Sequence, residues 1–127
     1  MDPFLDPRFA QGVELFNKRE WYAAHDAFEA LWHDTTDPER RWLQGIVQIA
    51  VAMVHLERDN HNGALILLGE GCTRLRTAVA SPAGWTADAI FRPCKALQQQ
   101  LSGGTDSVAD AADPVPSLVF DSTDLSP

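Results

Sequence analysis

From Arg8 to Ala80, apolar side chains return every three or four residues almost without a break. That is the 3.6-residue period of amphipathic helices, and it excludes sheet architectures, whose strands alternate with period two. Phe9, Val13 and Phe16 mark a first helix, capped by Asp6, opened by Pro7 and ending near Asn17. Trp21, Ala24, Phe28 and Leu31 mark a second, from about Glu20 to His33. The third, from Pro38 to about Arg58 with Asp37 as its cap, carries Trp42, Ile46, Ile49, Met53 and Leu56. A turn at Asp59–Gly63 leads to a fourth with Ala64, Leu68, Cys72, Leu75 and Val79 on one face. Pro93 suits a helix start better than its interior, which predicts a short last helix from about Arg92 to Leu101. Short turns make successive helices antiparallel. The expected fold is all-α, a small antiparallel bundle of four to five helices.

The 127 residues suit one domain. Its formal charge of −8 is unevenly spread. Residues 102–127 hold five Asp and no Lys, Arg or Glu, so residues 1–101 carry only −3 of it. Composition therefore divides the chain into a helical domain, 1–102, and an acidic, flexible C-terminal tail, 103–127. The Ser/Thr/Asp-rich tail is expected to be mobile and idle, its Leu118-Val119-Phe120 patch notwithstanding. No basic stripe exists to meet nucleic acid. The longest apolar run, Ile49–Val54, is far shorter than the roughly 18 residues that span a bilayer. The opening Met-Asp-Pro-Phe-Leu-Asp-Pro lacks the basic and apolar regions of a signal peptide. Cys72 and Cys94 form no CxxC and read as small core hydrophobes. These features lead us to expect a cytoplasmic protein with neither nucleic acid nor membrane as partner.

One departure from binary patterning stands out. On the second helix His25 and Glu29 are four residues apart, hence neighbours on one face, with Trp21 and Trp32 flanking them. The third helix carries a polar stripe of Gln44, Gln48 and His55. In an otherwise apolar helix these groups would need buried partners. Antiparallel register about the 34–37 turn places His25 near Ile46–Gln48 and Glu29 near Trp42–Gln44. It makes Gln48 a nearer neighbour of His25 than His55 is.

His25-x3-Glu29-x2-Trp32 is an HxxxExxW signature. With Phe16-Asn17, Trp21-Tyr22-Ala23-Ala24, Leu43-Gln44-Gly45-Ile46-Val47-Gln48-Ile49-Ala50, His55 and Asn62-Gly63-Ala64, it resembles the DUF309 family across residues 8 to 80. Asp59-Asn60 stands where similar proteins often have Gly-Asn, which predicts a looser turn. The resemblance implies an all-α fold and a suspected metal-binding role for His25 and Glu29. It supplies no reaction.

Imidazole and carboxylate suit Zn, Mn, Fe, Co or Ni. His25 and Glu29, with His55 as a third candidate, would hold such a divalent ion in a pocket between the second and third helices. Trp21, Trp32, Gln44 and Gln48 would line it or orient its ligands. Two or three protein ligands leave positions open for water or a small-molecule ligand. The chain has no Glu-x-x-His, which disfavours a di-iron bundle. Two other readings compete. In one, His25, Glu29, Gln44, Gln48 and His55 form a buried hydrogen-bond network that fixes helix register. In the other the chain is a non-enzymatic interaction module, similar to one unit of a helical solenoid, that needs a homodimer or protein partner.

Overall fold

The computed structural model describes residues 2–103 and 114–121. After a short 3-10 turn at Pro3–Leu5 come α1 (Pro7–Asn17), α2 (Trp21–His33), α3 (Glu39–Glu57), α4 (His61–Thr77), β1 (Trp85–Thr86), α5 (Asp88–Gly103) and β2 (Val119–Phe120). Among the described residues, five helices and one two-residue antiparallel bridge, Trp85 to Phe120 and Thr86 to Val119, make an all-α bundle.

Local chemistry accounts for the helix ends. The Asp6 side chain accepts from the Arg8 backbone N–H at 2.9 Å. Pro7 supplies a φ already suited to a first helical turn. Arg8 then pairs with Asp6 at 3.0 Å and with Asp34 at 2.9 Å, which ties the start of α1 to the end of α2. Hydrogen bonds from Arg8 hold the Asp6 carboxyl below its ordinary value. At the start of α3 the expected cap is absent: no side chain caps the helix at Pro38.

The α1–α2 and α3–α4 turns are alike. Each places a non-glycine residue in the left-handed region, Arg19 at φ 65° and Asp59 at φ 59°. The next amide reaches back to the carbonyl five residues earlier, Glu20 to Leu15 at 2.9 Å and Asn60 to His55 at 2.8 Å. This is the Schellman closure. The looser turn expected from Asp59-Asn60 is therefore not found. Asp is among the few residues that visit this region with modest strain.

Phe9, Phe16, Phe28, Trp42, Ile46, Ile49 and Leu68 lie in one continuous core. Trp42 is fully buried, with the rings of Phe4, Phe9 and Trp85 around it at 5.6, 5.8 and 5.2 Å. α3 and α4 cross backbone to backbone. A Cβ on Gly71 would stand 2.9 Å from the Gly45 carbonyl, and one on Gly45 would stand 3.0 Å from the Gly71 carbonyl. Cys72 and Cys94 are buried and free, as expected, and join α4 to α5. The hydrogen bond with Cys72 and burial push the Cys94 thiol well up.

Three further expectations need correction. α4 stops at Thr77, so Val79 lies beyond it, exposed. α5 begins four residues before Arg92 and keeps Pro93 in its interior. The C-terminal segment is not idle over residues 114–121. Pro116 and Leu118 are buried, and the Asn17 amide holds Leu118 through both its backbone groups at 2.8 and 2.9 Å. A run of Pro, Ser and Asp reads as tail by composition, yet Pro116, Leu118 and Phe120 alternate toward the bundle as in a strand. What was expected of residues 104–113 and 122–127 falls outside the described residues.

Candidate functional site

The buried face of α2 runs through Trp21, Ala24, Phe28 and Leu31. At 100° per residue, His25 stands about 80° and Glu29 about 120° from the centre of that face. Both leave the core on one flank. His25 Nε2 lies 3.3 Å from Glu29 Oε1, and Nδ1 lies 3.3 Å from Asp26 Oδ1. One donor atom from each of the three residues lies within 4.8 Å of the other two. The imidazole is the least exposed side chain, at 18%, against 43% for Glu29 and 61% for Asp26. A Tyr22 ring, one turn earlier, stands edge-on to His25 at 5.5 Å.

The donors thus sit on an open flank of α2, not in an enclosed α2–α3 pocket. Each carboxylate addresses a different ring nitrogen. Both ring nitrogens therefore have a carboxylate oxygen at 3.3 Å. Asp26 escaped the sequence reading for a clear reason. Adjacent helical residues point 100° apart and are not expected to meet. Only the bend of both side chains toward each other brings them together, and the bare His-Asp dipeptide carries no sign of that.

Other candidate residues go elsewhere. Gln48 turns to α4, donating to Glu70 Oε1 at 3.0 Å and accepting from Arg74 Nη1 at 3.1 Å. His55 Nδ1 lies 3.1 Å from Asn60 Nδ2 at the α3–α4 turn and is outside the three-residue group. The buried network expected to join His25, Glu29, Gln44, Gln48 and His55 is not formed, since Gln48 and His55 bond elsewhere. On α3 the stripe of Gln44, Gln48 and His55 is centred roughly 150° from the stripe of Trp42, Ile46, Ile49 and Met53 that enters the core. Antiparallel register about a turn fixes distance along a helix and not direction around it. Gln44 shares that outer stripe and is half-buried.

Trp21 is buried edge-on to Phe16 at 4.9 Å. Trp32 is half-buried, with the Arg40 guanidinium carbon 3.9 Å above its ring and the Arg40 Nε–H donating to its carbonyl at 3.4 Å. Its indole N–H is buried without a partner. Both tryptophans serve packing between helices, and Trp32 anchors the start of α3.

Fold and side chains together define a small all-α protein with a His/Asp/Glu group on the flank of its second helix. Residues 9–67, from α1 into α4, match the domain of unknown function DUF309. A search of curated proteins finds no match. Among the described residues no helix is long and apolar enough to cross a membrane.

Proposed function

We propose that the protein binds one divalent transition-metal ion, such as Zn, Mn, Fe, Co or Ni, through His25 and Glu29. The observation that carries this reading is the geometry of the group. Two ligands of one ion, each bonded at roughly 2.0–2.2 Å, stand about 3 Å apart, and His25 Nε2 and Glu29 Oε1 already stand 3.3 Å apart. Asp26 then acts on the far nitrogen, fixing the tautomer and the ring plane as carboxylates behind histidine ligands do. Glu29 supplies negative charge and, when not engaged, a base within reach of a small ligand. Tyr22 borders the opening, its ring edge-on to His25. When bound, such an ion supplies Lewis acidity with positions left for water or a small-molecule ligand. The buried free thiols suit a reducing compartment such as the cytoplasm.

Metal analysis of tag-free protein tests this. Wild type should hold one divalent ion at micromolar affinity and His25→Ala should lose it. Asp26→Asn should weaken it by roughly tenfold, the usual effect behind a ligating histidine. Gln48→Ala should leave metal content unchanged. Absence of binding by the wild-type chain would reduce the group to a surface ion pair.

A further inference from the structure

Residues 114–121 are held mainly by their backbone. Asn17 grips both the N–H and the C=O of Leu118. The Ser117 N–H donates to the Ala89 carbonyl at 3.0 Å, and the Asp121 N–H to the Gly84 carbonyl at 2.7 Å. The first of these carbonyls is free for a definite reason. In α5 it would accept from residue 93, and Pro93 has no N–H to give. The helix thus presents an unused acceptor to whatever lies alongside. Gly84, at φ 75°, completes the channel, because a Cβ there would stand 2.8 Å from the Asp121 carbonyl.

Side chains are read at alternate positions only. Pro116 and Leu118 are buried and Phe120 meets Phe9 at 6.2 Å, while Val119 between them is exposed. Space remains at both ends. Beside Val115 lies a cleft of about 270 Å³ floored by Trp21 and Leu56. Beside Phe120 lies an apolar one of about 390 Å³ floored by Phe4, Phe9 and Val13.

We propose that this channel between α1 and α5 is a recognition groove for an extended peptide segment of another protein, and that residues 114–121 are its exchangeable resident. The partner segment carries apolar side chains at alternate positions, like Pro116, Leu118 and Phe120, and larger ones where the two clefts stand open. Backbone grip with alternate-side-chain pockets is the logic of strand-addition recognition. A tethered resident competes at an effective concentration of roughly millimolar order, so an outside segment gains access only when the resident is weakened or outbid.

The test uses full-length protein and a labelled peptide of residues 114–121, read by fluorescence anisotropy. Leu118→Asp, which weakens the resident while leaving the groove intact, should bind the peptide at least roughly tenfold more tightly than wild type. Adding Asn17→Ala to that chain should abolish the gain. Equal binding by wild type and Leu118→Asp overturns the proposal. Should Leu118→Asp fail to fold, hydrogen exchange of the wild-type chain decides instead. Ser117 and Leu118 amides that exchange well before those of α3 support release of the segment on its own. Exchange only together with the α3 core overturns it.

Discussion

The α1–α2 and α3–α4 hairpins close on the same turn and hold their helices together by different means. In α3–α4 the two backbones touch at Gly45 and Gly71. The polar residues of that pair engage one another across the helices, Gln48 between Glu70 and Arg74, and Arg41 on Thr77 at 2.7 and 2.9 Å, with only the Arg74 Nε–H of this group buried unpaired. In α1–α2 the space is filled by rings, Phe9 and Phe16 against Phe28 at 5.8 and 6.4 Å. There the outward carboxylates of Asp26 and Glu29 converge on one imidazole at 3.3 Å, longer than a good hydrogen bond. Polar groups that engage each other from one helix to the next are structural. Those that gather on one helix with ligand capacity to spare are where chemistry is to be sought.

The sharpest way to break this contrast is at the glycine crossing. Gly71→Ala should cost about 1–3 kcal/mol, because the new methyl meets a backbone carbonyl that cannot step aside. A melting temperature several degrees lower is expected in thermal unfolding followed by circular dichroism. No change would mean that the hairpins are packed alike after all.

A smaller effect tests the shared turn. Arg19→Gly and Asp59→Gly should each stabilise by up to about 1 kcal/mol, since glycine accepts a positive φ freely. Arginine should yield the larger gain, as Asp tolerates the conformation better. A loss at either position would show that the side chain does more than occupy the turn.

The smallest effect belongs to the first hairpin alone. The folded-state pKa of Asp6 lies below its ordinary 3.8 through hydrogen bonds to Arg8. Its stabilising contribution is thus complete above that value and disappears as pH falls through the lower, folded-state value. Wild type should lose more stability than Asp6→Asn when pH is lowered from about 5 to about 2. Parallel acid curves would remove the Arg8 pair from the account of this hairpin.

Much of this fold was legible because one period governs the chain from Arg8 to Thr77. Asp6-Pro7 and the turns after Asn17 and Arg58 punctuate it unambiguously. The rest required direction and partners that no single helix displays. Gln48 and His55 were aimed at the wrong neighbour because α3 is packed on two sides, and a stripe can be polar while facing another helix. Pro93 stood for a helix start because the rule assumes a lost hydrogen bond. Here the amide that makes good the loss comes from Ser117, far along the chain. His25 and Glu29 were found because helical spacing four apart survives any packing arrangement. Asp26 was not, because its approach depends on rotamers.

The two thiols between α4 and α5 make the protein its own clock. Cys72 and Cys94 are buried while α5 lies on α4, and the hydrogen bond with Cys72, together with burial, pushes the Cys94 thiol well up. The Cys94 sulfur, fully buried, meets an alkylating reagent only when that seam parts. Its rate of labelling therefore counts the openings of one particular edge of the bundle, without any probe being attached.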